Sequence, residues 1–290
     1  MLNEKIKFLR RSRGMTQEEL AEKVCVSRQA ITKWESGAGV PDISNIESLC
    51  RVFGVSYDSL LGETAAEAAN VSRTEFDIFE KSGFEIDVGN ANTLELVSGA
   101  PEKALVELRT DLPDAVHKLA KVRVQEGKRV DLAVVKIQLD KKYLRVESQR
   151  SMSRSDARKH LFVKVCVPAD QGKIELRGSV ENLCIHDIPG EAHIEFDGKA
   201  SRAEIYNMGG RIELDSGADM EIGYDASAQQ LDINQIGCVS RLCLAEGARA
   251  DVYSKGRSCG VVFENCENAP DSERKVELNG YKSELTVVRA

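Results

Sequence analysis

The sequence predicts a two-domain protein, in which a small all-α domain of five helices precedes a larger all-β repeat domain. Apolar residues recur at helical spacing up to about residue 62, whereas they alternate with polar residues after Thr74, as strands require. The 290-residue chain is also too long for one small core and suits two domains. We therefore predict a helical domain at residues 1–62, a linker at 63–73 and a β-repeat domain at 74–290.

The first helix is predicted over residues 3–13. Three apolar residues share one of its faces: Leu2, Ile6 and Leu9. The same segment is rich in basic residues: Lys5, Lys7, Arg10, Arg11 and Arg13. They would give an otherwise acidic protein, with a net charge of −7, one positively charged face suited to nucleic acid.

The stretch from Thr16 to Glu35 predicts two short helices joined by a tight turn. Thr16 can cap the first helix in a capping box with Glu19, and Ser27 can cap the second. Around the second helix three residues fall on one apolar arc: Ala30, Ile31 and Trp34. The opposite arc is polar and consists of Arg28, Gln29, Thr32 and Lys33. This is the layout of a recognition helix that enters the major groove of DNA.

Two further helices complete the predicted helical domain. Asp42 is expected to cap the fourth, whose buried stripe is Ile43, Ile46, Leu49 and Cys50. A short fifth helix is expected from Ser56 through Leu61. Residues 63–73 contain no turn of large apolar residues and therefore predict a linker.

Residues 2–62 resemble the helix-turn-helix domain of the Xre/Cro-type bacterial and phage repressors. The resemblance rests on three stretches: Val26–Gly37, Pro41-Asp42 and Phe53–Gly62. It implies a transcriptional regulator that binds double-stranded DNA. It also implies a phosphate contact by Gln17 and DNA recognition by Ser27, Arg28, Gln29, Thr32 and Lys33. Arginine can pair bidentately with guanine and glutamine with adenine, each pair giving ~1–3 kcal/mol of discrimination.

Two departures from the family pattern are visible. Cys25 stands in the turn where glycine is usual, and a left-handed backbone there would cost about 1 kcal/mol. Ala38 and Gly39 stand where a basic residue often contacts the DNA backbone. We therefore expect DNA affinity to depend on a homodimer, assembled through the β domain. Effector sensing is the second role that we consider for that domain.

The β domain contains inward-facing apolar pairs at i and i+2. The first members of these pairs form two series, which step by 18 to 20 residues: 174, 194, 212, 231, 250 and 183, 203, 222, 242, 261. A fixed period predicts stacked repeats with two strands per coil, in a β-solenoid or a flattened two-sheet sandwich. A conventional antiparallel sandwich with evenly spaced hairpins remains open. This half is similar to the adhesin-like β-repeat domains of unknown function found in bacterial envelope proteins and regulators.

No catalytic motif stands out, so we expect no enzyme, no cofactor and no metal site. His186 and His193 are expected to be solvated on outward strand positions, and residues 148–159 to form an exposed loop. Eight singly spread cysteines and the absence of an ~18-residue apolar run favour a cytoplasmic protein with no membrane contact. The main alternative is a scaffolding protein anchored by its helical domain. An enzyme ranks third, and an exposed stripe of stacked Asp, Lys and Arg would support it.

Overall fold

A computed structural model describes residues 2–11, 15–53, 60, 71–78, 82–110, 121–129, 132–140, 145–146, 150–168 and 172–289. The chain divides into two compact units, residues 1–65 and 66–289. The first unit is helical and the second is mostly β. The predicted multidomain class, with a small helical part and a large β part, is therefore confirmed. No helix in the described part of the chain is long and apolar enough to cross a membrane.

Four helices form the first unit within the described residues: α1 (Leu2–Arg11), α2 (Gln17–Val24), α3 (Arg28–Glu35) and α4 (Ile43–Phe53). The predicted fifth helix is not supported, because residues 56–59 and 61 lie outside the described residues and only Leu60 is placed. Apolar residues from all four helices form one buried cluster, since each helix turns one apolar stripe inward.

The predicted stripe of α4 is wrong at one residue. Ile46, Leu49 and Cys50 are buried, but Ile43 is 81% exposed. Ile43 is the first residue of α4, so it lies one turn before the part of the helix that packs on the core. Val40, just ahead of the helix, is exposed as well. This end of α4 therefore presents apolar side chains to solvent.

The second unit has eighteen strands and one helix among its described residues. In chain order these are β1 (Val71–Asp77), β2 (Ser82–Gly99), β3 (Lys103–Thr110), β4 (Lys121–Arg129), β5 (Leu132–Asp140), β6 (Arg145–Val146), β7 (Arg150–Ser151), α5 (Arg154–His160), β8 (Leu161–Pro168), β9 (Lys173–Ile188), β10 (His193–Met208), β11 (Arg211–Ser216), β12 (Glu221–Tyr224), β13 (Gln230–Ile236), β14 (Val239–Leu244), β15 (Asp251–Ser254), β16 (Gly260–Glu264), β17 (Lys275–Tyr281) and β18 (Glu284–Arg289).

Strands β9 to β18 pair in parallel, one repeat onto the next. Ile194 lies opposite Ile174 on one side and opposite Ile212 on the other, and Leu231 lies opposite Ile212. Parallel pairing across a whole repeat arises when coils stack, whereas a hairpin would pair its strands antiparallel. Each coil contains two strand segments, and β9 and β10 are each long enough to form both segments of one coil. In the following coils the path is broken into two strands, such as β11 and β12.

The inward positions of both strand series belong to one buried cluster, so the coils enclose a common core. All the predicted inward pairs of this region are buried except Val261 and Phe263, which are half-buried. These two residues lie on β16, which pairs only with β18 among the described strands. Their burial is incomplete because no further strand in the described part of the chain covers that side.

The order of the last coils differs from the order of the sequence. If the coils stacked in sequence order, the coil of β15 and β16 would lie directly on that of β13 and β14. Instead β17 lies between β13 and β15, and β18 lies between β14 and β16. The C-terminal strands are thus inserted into the stack and held on both edges. Alternation predicts which face of a strand is buried, but it does not identify the neighbouring strand.

The first part of the β unit mixes parallel and antiparallel pairs. Strand β2 pairs in parallel with β5, β8 and β9, whereas β1–β3, β3–β8 and β4–β5 are antiparallel. Strand β1 begins at Val71, three residues before the predicted start of the domain and within the predicted linker. Val124 on β4 is 36% exposed.

The segment expected to be an exposed loop at residues 148–159 contains the helix α5. Ser153 caps this helix, and Ser153 and Asp156 form a capping box. Ala157 is fully buried within the core of the β unit. The small side chain allows α5 to approach β2 closely, so this segment is part of the packed unit.

Candidate nucleic-acid interface

The turn between α2 and α3 is built as the sequence predicted. Thr16 and Glu19 form the capping box of α2, and the hydroxyl of Ser27 accepts a hydrogen bond from the Ala30 amide at 3.2 Å. Cys25 has φ 59° and ψ 45°, so it takes the left-handed backbone that glycine usually supplies. Ser27 is exposed, but its hydroxyl is engaged in capping α3.

The two arcs of α3 also match the prediction. Ile31 and Trp34 are buried, and Ala30 packs against the same core. The four polar residues of the opposite arc are all exposed: Arg28, Gln29, Thr32 and Lys33. The helix therefore holds one apolar edge in the core and presents a continuous polar row to solvent.

The polar row is available for contacts. Among the described residues Arg28 has one ion-pair neighbour, Glu18 at 3.7 Å, and both side chains are 64% exposed. Such surface pairs contribute only ~0–1 kcal/mol, so DNA can displace this one. The side chains of Gln29 and Lys33 have no hydrogen bond or ion pair within the described part of the chain. The ends of these side chains can therefore turn towards base edges or phosphates without breaking protein contacts.

A buried ion pair holds α3 against α1. Glu35 is 8% exposed, and Arg10 donates to its two oxygens at 2.5 and 2.9 Å. A further guanidinium N–H of Arg10 donates to the Met15 carbonyl at 2.7 Å. Burial by itself would raise the pKa of Glu35, but hydrogen bonds from Arg10 and Gln17 and the charge of Arg10 outweigh it, so this pKa is lowered. Glu35 is therefore a charged residue that positions the recognition helix.

Gln17 joins the same network. Its Nε2 donates to Glu35 at 2.8 Å, and its Oε1 accepts from the Thr32 hydroxyl at 3.1 Å. A carboxamide has two N–H donors, so one remains for the phosphate contact that the family resemblance implies. The network connects the start of α2 to the middle of the polar row, and it fixes Gln17 beside Thr32.

The predicted basic face of α1 is smaller than expected. Arg10 is only 9% exposed because it is buried in its ion pair with Glu35. Its charge is therefore not available for contacts with DNA. Lys7 is exposed. The side chains of Lys5 and Arg11, and Arg13 as a whole, lie outside the described residues. Arg10 lies four residues after Ile6, on the same helical face, and this spacing was the sequence signal for its burial.

The two histidines considered in the sequence occupy different surroundings. His186 was expected to be solvated, but it is buried, 3.1 Å from both Glu95 and Asp187 and stacked on Tyr206 with ring centroids 4.6 Å apart. Burial lowers the pKa of His186, but hydrogen bonds to Asp187 and Glu95 outweigh it and raise this pKa. His193 is half-exposed and lies beside Glu195 and Glu213.

The geometry of α2 and α3, two short helices joined by a tight left-handed turn at Cys25, is that of a helix-turn-helix. Residues 6–60 match the protein-family model described as "Helix-turn-helix". The N-terminal unit is therefore similar to helix-turn-helix domains, in agreement with the resemblance seen in the sequence.

Several curated proteins share this part of the chain. The transcriptional activator BcrR of Enterococcus faecalis is 47% identical over 74 residues, which cover 24% of this chain and 36% of BcrR. A prophage-derived transcriptional regulator of Bacillus subtilis, YonR, is 36% identical over 67 residues, which cover 23% of this chain and 62% of YonR. The antitoxin PezA of Streptococcus pneumoniae is 35% identical over 63 residues, which cover 22% and 40% of the two chains. The chain thus spans less than two thirds of each of these relatives.

Two solved structures align with about three quarters of the chain at low similarity. One is a candidate cell adhesion protein from Clostridium sporogenes, with a TM-score of 0.35, 8% identity, and coverage of 76% of this chain and 100% of the other. The second is a candidate adhesin from Bacteroides fragilis, with a TM-score of 0.31, 9% identity, and coverage of 76% and 97%.

Proposed function

We propose that the protein is a sequence-specific DNA-binding transcriptional regulator whose helix α3 enters the major groove. The observation that carries this proposal is the exposed polar row of α3, on a helix fixed in the core by Ile31, Trp34 and the Arg10–Glu35 pair. The family match of residues 6–60 and the curated regulators support it.

The proposed roles follow from side-chain chemistry. Arg28 is assigned to a guanine and Gln29 to an adenine, because their paired donors and acceptors match those base edges. Lys33 reads guanine or holds a phosphate, and Thr32 contacts a base or the backbone. Ser27 and Gln17 are assigned to the DNA backbone, at the N-terminal ends of α3 and α2.

Replacing Arg28 by alanine should weaken binding to the preferred duplex by ~1–3 kcal/mol and relax the preference at one base pair. Equilibrium titrations of full-length protein with that duplex and its single-base variants would measure both effects. Arg51→Ala is the matched control, since Arg51 is also exposed but lies on α4 in an ion pair with Glu47. Equal affinities and equal base preferences for wild type and Arg28→Ala would remove Arg28 from the recognition site.

The β unit is assigned first to homodimerisation and second to effector sensing. Two helix-turn-helix domains on half-sites one helical turn apart would compensate for the missing basic residue at Ala38 and Gly39. Strand β16 has one unpaired edge among the described strands, and Val262 on it is 44% exposed. An unpaired strand edge is a template for pairing with a second chain.

Sedimentation equilibrium tests this assignment. The full-length protein should be a dimer and a fragment of residues 1–66 a monomer. A monomeric full-length protein, or a fragment that dimerises equally well, would remove the assembly role and favour sensing. A scaffolding protein, our alternative, would instead form open-ended assemblies whose size grows with concentration.

Ion pairing of the acidic side chains on the outward face of the β unit disfavours an enzymatic role. A stripe of stacked charges does run along one face of the coils, in register from Glu175 to Asp232. Most of its carboxylates have a cationic partner, however, as in the ion pair of Asp232 with Arg211 at 2.6 Å. A general acid or base needs a group free to exchange its proton with substrate. We therefore retain a non-enzymatic role.

A further inference from the structure

An outward-facing column of acidic side chains crosses the coils of the β unit. Pairing registers place six of them side by side: Glu85, Glu175, Glu195, Glu213, Asp232 and Glu277. Adjacent strands lie ~4.8 Å apart, and like charges at that spacing repel unless cations separate them. The column therefore depends on nearby positive charges.

Most members of the column have a cationic partner. Lys173 lies 3.1 Å from Glu175 and 2.7 Å from Glu195, and Lys255 lies 2.5 Å from Glu277. Glu213 differs, because no lysine or arginine nitrogen of the described residues lies within 4.0 Å of it. Its neighbours are the neutral amide of Asn234 at 2.7 Å and the imidazole of His193.

His193 points a nitrogen between two of these carboxylates. Its Nε2 lies 3.5 Å from Glu195 Oε1 and 3.8 Å from Glu213 Oε2, distances too long for good hydrogen bonds. The Nε2 atom is shielded from solvent and has no hydrogen-bond partner among the described residues, although the rest of the ring is half-exposed. A shielded polar nitrogen without a protein partner costs free energy, so a ligand held between His193 and the two carboxylates would be stabilised there.

The two carboxylates are oriented from outside the cluster. Lys173 holds Glu195 through Oε2, and Asn234 holds Glu213 through Oε1. In each carboxylate it is the other oxygen that faces His193. The strands β10 and β11 fix the backbones, with Glu195 directly opposite Glu213. Contacts of this kind are what orient the ligands of metal sites.

We propose that His193, Glu195 and Glu213 bind a divalent first-row transition metal such as Zn²⁺. Their three ligand atoms lie within 4.8 Å of one another. Bond lengths of ~2.0–2.2 Å to nitrogen and oxygen place tetrahedral ligands ~3.4 Å apart, so small side-chain rotations close the site. Imidazole favours Zn²⁺ and similar ions over Mg²⁺ and Ca²⁺. Three protein ligands leave one position for water or an external ligand.

The site would join two neighbouring coils and give the β unit a defined ligand. It replaces the sequence-based expectation of no metal site, which considered His193 together with His186 and overlooked Glu195 on the same strand and Glu213 on the adjacent strand. This inference is independent of DNA binding, because every residue in it belongs to the β unit.

Titration of full-length protein with Zn²⁺, followed by calorimetry and by thermal unfolding, tests the site. Wild type should bind one ion at this site and become more stable as the ion concentration rises. His193→Ala and the nearly isosteric Glu213→Gln should each lower the affinity more than about tenfold and lose that stabilisation. His160→Ala is the matched control, since His160 lies on α5 outside the cluster, and it should bind as wild type does.

All eight cysteines are free and could also bind Zn²⁺. A titration with Co²⁺ distinguishes metal binding at the proposed site from metal binding to these thiols. Co²⁺ bound by His193, Glu195 and Glu213 lacks the thiolate charge-transfer absorption that cysteine ligands produce. Circular dichroism confirms that each variant is folded. The proposal is overturned if wild type fails to bind Zn²⁺, if folded His193→Ala and Glu213→Gln bind it as tightly as wild type, or if Co²⁺ binding shows the thiolate band and is abolished by alkylation of the cysteines.

Discussion

Replacing Ile212 by aspartate is expected to unfold the β unit. Ile212 is fully buried on β11, with Ile194 and Leu231 beside it in the ladder. The change removes ~2–3 kcal/mol of apolar burial and places an unpaired carboxylate in the core, which costs several kcal/mol more. Together these losses are comparable to the ~5–15 kcal/mol that stabilises a typical domain.

Two probes separate the units in this experiment. Far-ultraviolet circular dichroism during heating should lose the cooperative transition of the β unit. Trp34, the only tryptophan of the chain, is buried in the helical unit, so its fluorescence should still report a folded N-terminal domain. The same change at an exposed position, Ile236→Asp, is the control, because Ile236 is 75% exposed. A β unit that melts identically in both variants would show that the inward assignment of Ile212 is wrong.

Replacing Glu35 by alanine is expected to destabilise the helical unit by about 3–5 kcal/mol. The substitution leaves the buried guanidinium of Arg10 without its carboxylate, and removing one partner of a buried ion pair has a cost of this size. Gln17 also loses the acceptor of its Nε2. Denaturant titration followed by Trp34 fluorescence would measure the loss while the β unit stays folded.

Glu47→Ala provides the comparison for this prediction. Glu47 pairs with Arg51 at 3.4 Å on the exposed face of α4, where such pairs contribute ~0.3–0.5 kcal/mol. Its unfolding midpoint should therefore stay near that of wild type. The double variant Arg10→Met, Glu35→Leu should recover much of the stability lost in Glu35→Ala, because no unpaired charge remains. If Glu35→Ala unfolds at the same denaturant concentration as Glu47→Ala, the buried pair has no role in holding α3.

The helical unit was predictable because its signals are local. Capping residues, apolar arcs and the tight turn all involve residues within one or two helical turns of one another. The Arg10–Glu35 pair joins residues far apart in the chain, so it was missed, and Arg10 was assigned to a surface face. Ile43 was misplaced because helical spacing identifies a face but not where along the helix the packing begins.

For the β unit, the sequence predicted which face of each strand is buried, but it did not predict which strands are neighbours. Alternation located the buried pairs, whereas the insertion of β17 and β18 depends on three-dimensional pairing that alternation does not encode. The helix α5 was missed although Ser153 and Asp156 have the spacing of a capping box. The repeat alignment that places Ile194 beside Ile212 also places Glu195 beside Glu213. The acidic neighbours of His193 were therefore present in the sequence pattern.

Genome-wide footprinting of the full-length protein tests the central claim, sequence-specific DNA recognition by α3, most directly. We expect protection at a limited set of sites that share one short sequence. Protection should weaken at those sites when Arg28 is replaced by alanine, and it should persist with Arg51→Ala. Uniform weak protection without a shared sequence, unchanged by Arg28→Ala, would contradict the account and show that the exposed row of α3 does not read DNA.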